Sequence, residues 1–257
     1  MFPLTSGHYI ETWRQQDDAR RRRLAETMSE LSRHFTMASP PVLCNCEIDS
    51  YLHGRFGLPA VPRTCPAFSR GFLHTTPDAP VSGTPYDYVI ELEMLARRPA
   101  GFLPHGRGHL DFAELYADAE QQLADALPSL ASHTEDTIAA TAVAEIHENI
   151  ADALLRAGLP IGLLMQFLVE EPQDFISALP TRAAALRLRE ARHRNAQKSW
   201  EPNDMNDVAY SACAIVHCHV VVTENLWADM LRQSGLPKDH RATVTSDLTR
   251  LPDLLAA

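Results

Sequence analysis

No stretch of this sequence approaches the roughly 20 consecutive apolar residues that a helix needs to span a bilayer, so no membrane-spanning helix is expected. Residues 1–11 lack the basic region followed by an apolar core that marks a secretory leader. Cysteine is sparse, five among 257 residues and at irregular spacing. A disulfide framework is therefore not expected, and the anticipated compartment is the cytoplasm. Structural zinc ligands usually stand about two to four residues apart, and neither His217-Cys218-His219 nor Cys44-Asn45-Cys46 has that spacing. No Gly-rich phosphate loop or dinucleotide fingerprint occurs, and no serine sits in a nucleophile elbow. Positive charge is also short. With 23 Lys+Arg against 33 Asp+Glu, a net charge of −10, the chain is not built to grip nucleic acid over its whole surface by counterion release.

What is present is the composition of an ordinary globular protein, 45% hydrophobic and 22% charged, long enough to bury a sizeable core. Residues 8–33 have helical periodicity, with Tyr9, Trp13, Leu24, Met28 and Leu31 as candidate buried positions and Thr5 or Ser6 as the cap. The preceding Phe2-Pro3-Leu4 reads as the end of a strand. A second helix is expected from about Asn45 through Leu52. Residues 57–86, rich in Pro, Gly, Ser and Thr, favour turns. Helices are expected at 88–98, at 112–130 with Leu115, Ala119 and Leu123 in register, and at 134–157. The apolar run 160–169 reads as buried. His105-Gly106-Arg107-Gly108-His109 is a basic, turn-rich loop without an assigned role.

The last third alternates helix and strand: a basic helix at 181–198, a helix at 204–216, a strand at 219–223, a helix at 226–234 and a strand at 243–245. Strands separated by helices imply parallel pairing. Within the basic helix, Arg182, Arg187, Arg189, Arg192, Arg194 and Lys198 face the single acid Glu190, so Arg189, Arg192 and their neighbours are the candidate phosphate contacts.

The chemistry-bearing stretch is Asn203-Asp204-Met205-Asn206-Asp207, followed by Val220-Val221-Val222-Thr223-Glu224. Asp204 and Asp207 are three apart and share a helix face, close enough to hold one cation directly or through water. They also suit an N-cap and a first-turn acid that complements the helix dipole. Glu224 follows a β-branched run and lies where open α/β sheets bind ligands. Thr223 is placed to orient that carboxylate or a water. If helix and strand run antiparallel as neighbours, the three acids meet at one edge, and a hard cation such as Mg²⁺ or Mn²⁺ would offset their repulsion.

Asp207-Val208-Ala209-Tyr210-Ser211-Ala212-Cys213-Ala214 with Val220-Val221-Val222-Thr223-Glu224 resembles the C-terminal half of PIN-like nuclease domains, and Phe2-Pro3-Leu4-Thr5-Ser6-Gly7-His8-Tyr9-Ile10-Glu11 resembles that family's second strand entering a helix that carries a catalytic acid. The resemblance covers some fifteen N-terminal and fifty C-terminal residues. It implies an α/β fold, a three-layer α/β/α arrangement on a central parallel sheet, as a single domain over 1–257 with a loop-rich and helical insertion at about 57–180. The family's pattern starts one strand earlier, with an Asp that has no counterpart here, and Glu224 stands where Asp is usual. The implied activity is metal-dependent endonucleolytic cleavage of RNA, most simply single-stranded, with Glu11, Asp207 and Glu224 as catalytic carboxylates, Asp204 as an auxiliary metal ligand, Glu47 as a weaker candidate and Arg189, Arg192 and Thr223 on the substrate. The alternative is a PIN-like binding or regulatory module without catalysis. Self-association stays open, and no membrane partner is expected.

Overall fold

The computed structural model describes residues 2–59, 66–75, 87–97, 107–130, 134–195 and 198–256. Its elements, in order, are helices α1 (Ser6–Arg14) and α2 (Asp18–Ser32), strand β1 (Phe35–Met37), α3 (Pro40–Phe56), β2 (Phe68–Arg70), a 3-10 turn (Phe72–Thr75), α4 (Asp87–Ala96), α5 (Arg107–Leu130), α6 (Thr134–Ala144), α7 (His147–Arg156), and α8 (Leu163–Met165), which runs into a π-turn (Gln166–Glu170). These are followed by α9 (Pro172–Ser177), α10 (Pro180–Arg194), α11 (Asp204–His217), β3 (Val220–Val222), α12 (Asn225–Gln233), α13 (Leu236–Asp239), β4 (Thr243–Thr245), a 3-10 turn (Leu248–Arg250) and α14 (Leu251–Ala256). The class is mixed α/β with helices predominant. The expected central parallel sheet is not what the described residues form: β1 and β2 pair antiparallel, and β3 and β4 pair parallel, in two separate two-stranded sheets.

Contacts divide the chain into two compact units, Met1–Leu43 with Arg63–Asp111, and Cys44–Pro62 with Phe112–Ala257. In the first, the helix expected over 8–33 is two helices. Gln15 is extended, and Asp17 caps α2 by accepting from Arg20 N at 3.0 Å, the role its side chain favours. Tyr9 and Trp13 are buried as expected, Tyr9 in edge contact with both Trp13 and Phe72, and the Trp13 indole donates to Met94 O at 2.6 Å. Leu24 and Leu31, expected inside, are exposed. Leu4 forms a parallel bridge to Thr36, so the expected strand end is present as a single bridged residue beside β1.

The second unit has two apolar cores. One gathers α3, α6, α7 and α9 around Ile48, Leu52, Ile138, Ile150, Leu154, Phe167 and Phe175, the two phenylalanines stacked at 4.7 Å. The 134–157 segment breaks at Glu145 and Ile146, where Glu145 turns to Arg182 and Arg189. Residues 160–169 are less buried than their apolarity suggests: Phe167 is enclosed, but Ile161, Met165 and Val169 face solvent. On α5 the inward positions are Ala117, Glu120 and Leu127, not Leu115 or Ala119.

The other core holds α10, α11, α12 and the β3–β4 pair around Leu188, Val208, Ala212, Ile215, Val221, Trp227, Leu231 and Val244. Alanines at 184, 185 and 212 let α10 and α11 pack closely, because small side chains shorten the interaxial distance. β3 and β4 run parallel through the crossover formed by α12 and α13, as parallel strands require. Gly235 ends α12 with φ 75°, and a Cβ there would stand 3.1 Å from Arg187 Nη2, so the turn favours glycine on two counts. The His105–His109 loop lies largely outside the described residues.

Candidate functional site

The geometry around the acidic stretch is set by α10. Its N-terminus, with Pro180 in the first turn, is capped from α3: the Glu47 carboxylate accepts from Thr181 N at 3.0 and 3.1 Å and from Thr181 Oγ1 at 2.8 Å. Burial pushes the Glu47 carboxyl above its ordinary range, and the Thr181 bonds pull it back only partly. Glu47 is thus a helix cap here, which accounts for its acid without a metal.

Arg182, Arg189 and Arg192 of α10 turn inward while Arg194 stays exposed, contrary to the expectation that Arg189 and Arg192 hold phosphates. Both are fully buried. Arg189 pairs with Glu120 of α5 through Nη2, and with Glu145 at 3.0 Å. His193 Nε2 lies 2.9 Å from the same Glu120. Arg182 reaches Glu145 at 3.1 Å and Ala142 O at 2.9 Å. A buried guanidinium must be paired and hydrogen-bonded to be tolerated, and these carboxylates supply the pairing.

Arg192 has the most complete set of partners. Its Nη2 and Nε donate to Asp204 Oδ2 at 2.9 and 3.2 Å, and its remaining N–H groups reach Ser199 O at 2.6 Å and Lys198 O at 2.8 Å. The guanidinium also sits 4.9 Å from the Trp200 ring centroid. Asp204 Oδ2 accepts in addition from Glu201 N at 3.0 Å. Asp204 is therefore committed to a buried ion pair that fixes the approach to α11, and its expected role as an auxiliary metal ligand is taken over by Arg192.

Asp207, one turn further on α11, is different. It is half-buried, and its Oδ2 accepts from Trp227 Nε1 at 3.0 Å and from Asn203 Nδ2 at 3.4 Å. Its Oδ1 has no partner among the described residues. Desolvation raises its carboxyl to about 6, and the charges of Glu224 and Asp204 add to that while the two hydrogen bonds oppose it. Asp207 thus feels the charges of both Glu224 and Asp204. Glu224 stands at the N-cap of α12, exposed and without a capping bond of its own. Thr223 extends the parallel ladder by donating its N–H to Thr245 O at 3.1 Å.

Glu11 belongs to the other compact unit. It is exposed on α1, and its carboxylate accepts from Arg14 on the same helix at 2.5 Å. Among the described residues no group of three or more His, Cys, Asp and Glu side chains is placed to share one ion. Two carboxylates nevertheless suit Mg²⁺, which keeps several waters and commonly takes one or two protein carboxylates plus substrate phosphates. Asp207 offers one such carboxylate through its open Oδ1, Glu224 is near enough for its charge to act on it, and oxygen donors suit a hard cation.

Trp227 is the functional candidate that sequence reading missed. The signal was its place three residues after Glu224, in the first turn of α12, which returns it to the same edge. The buried partners Glu120 and Glu145 carried no local signal. Burial pushes the Cys44 and Cys213 thiols up to about 11 and about 12, so neither is a thiolate nucleophile at neutral pH. No helix among the described residues is long and apolar enough to cross a membrane. Comparison with protein-family models, curated proteins and solved structures finds no match to this chain.

Proposed function

We propose that this protein is a PIN-like, Mg²⁺- or Mn²⁺-dependent endoribonuclease acting on single-stranded RNA, its site centred on Asp207 and Glu224. The observation that carries the reading is the half-buried Asp207 carboxylate, held in one orientation by Trp227 and destabilised in its charged form by desolvation first and by two neighbouring acids second. A folded protein keeps such a charge conflict at low cost when a cation resolves it. Residues 44–62 and 112–257 hold 23 of the 33 acids but 12 of the 23 bases, so a phosphate backbone approaching this unit also needs positive charge from elsewhere. A divalent ion bound there would supply that charge and lower the pKa of a bound water. The chain's own part is orientation: Trp227 and Asn203 fix Asp207, and Arg192 with Asp204 fixes the first turn of α11. A larger parallel sheet around β3 and β4 belongs to this same reading.

Cleavage of end-labelled single-stranded RNA in Mn²⁺ tests it. Activity is expected in the wild-type chain and lost in Asp207→Asn, and activity indifferent to that change sinks the assignment. A second reading, a PIN-like binding module without catalysis, draws support from the arginine partners of Asp204 and Glu11. Calorimetric titration separates the two: a working site takes up Mn²⁺ in an Asp207-dependent manner, and a degenerate one does not.

A further inference from the structure

Helix α2 buries Arg21, Ala25, Ser29 and Ser32 on one side. On the opposite side Arg20, Leu24, Thr27 and Leu31 recur at intervals of four, three and four, the spacing of a single helix stripe. Leu24 and Leu31 are 41% and 52% exposed. Arg23 and Glu30, seven apart, flank that stripe on the same side, both exposed and both without an ion-pair partner among the described residues. The neighbouring bases are already engaged, Arg21 with Asp18 and Arg22 with Glu26.

We propose that the outer face of α2 is a self-association surface whose occupant is α2 of a second copy, packed antiparallel about a two-fold axis. Such an axis maps each flank onto itself, so an exposed base and an exposed acid on one flank become partners. Arg23 of each copy then meets Glu30 of the other, while Leu24 meets Leu31, and every contact occurs twice. A parallel pairing leaves both charges without a partner. Glu30 at the far end of this face repels a phosphate backbone, and the two exposed leucines give such a backbone nothing to bind. One helix face covers on the order of 400 Å² per copy, half the roughly 800 Å² of a standard interface, so the dimer is weak and forms at high concentration. The inference is independent of the ribonuclease reading, since it uses none of that site's residues.

Sedimentation velocity of the full chain, from low micromolar to several hundred micromolar, tests it. The wild type shifts from monomer to dimer across the series. Arg23→Glu and Glu30→Arg each weaken association roughly tenfold, and the combined variant recovers it to within about threefold, because the pair is restored with its signs exchanged. Leu24→Gln with Leu31→Gln abolishes the dimer, with an unchanged melting curve confirming that these exposed sites do not support the fold. A chain that is monomeric throughout, or a combined variant no better than the single ones, overturns the proposal. So does a monomer whose binding of a single-stranded oligoribonucleotide is lost in Arg23→Glu, which assigns the face to nucleic acid.

Discussion

Replacing Asp204 by Ala removes the only carboxylate among the described residues that touches Arg192. The guanidinium keeps its bonds to Lys198 O and Ser199 O and its contact with Trp200, but its charge is left buried and unneutralised. Breaking a buried pair from one side typically costs about 3–5 kcal/mol. The retained carbonyl bonds place Asp204→Ala near the lower figure, about 3 kcal/mol, which corresponds to a fall in melting temperature of roughly 10 °C for a unit of this size. Arg192→Met should cost a similar amount, since it strands Asp204 with Glu201 N as its remaining donor. The double variant should lose far less than the sum, with a coupling of about 2 kcal/mol in a double-mutant cycle followed by urea denaturation. A phosphate-contacting arginine behaves otherwise: its loss lowers RNA affinity and reduces the salt dependence of binding by about one ion, with stability changed by less than about 0.5 kcal/mol. Additive single effects, or an Arg192→Met chain of wild-type stability with weakened RNA binding, refute the structural role argued for this pair.

Two further outcomes follow from the same geometry. The Asp207 carboxyl titrates near 6 in the folded chain, against an ordinary 3.8, so between these values the native state holds a proton that the unfolded chain has released, and stability falls as pH rises through that window. Asp207→Asn removes the effect and should be more stable than wild type by about 1–2 kcal/mol at neutral pH, after allowance for solvent screening of a half-buried group, with the difference vanishing below about pH 4; paired denaturation curves at acid and neutral pH check this. Glu47→Ala takes the cap from α10 and should cost about 1–2 kcal/mol, with Gln at that position recovering part of it, again read from denaturation midpoints.

The C-terminal third was the most legible part of the chain. The acids at 204 and 207, the small residues of α11, the β-branched run at 220–223 and the breaks around Gly235 are all local signals, and the elements formed where those signals lie. That Glu224 and Asp204 lie near enough for their charges to act on Asp207 follows from the short connection that joins the helix to the strand. The inward turn of α10 was not. Arg182, Arg189 and Arg192 lie at helix-face spacing, a pattern that reads as a solvated basic face until carboxylates are placed against it. The helix expected over 8–33 misjudged Asp17, whose capping side chain competes with an unbroken helix.

The sequence alone determined where the helices and strands of the C-terminal third form and set Asp204 and Asp207 one turn apart on α11, because propensity, capping and the reach of a short turn act over a few residues. Only the tertiary structure decided which of those acids remain open to a ligand. Asp204 met Arg192 across twelve residues and Arg189 met Glu120 across sixty-nine, and a buried charge is neutralised by whichever opposite charge the packing brings to it.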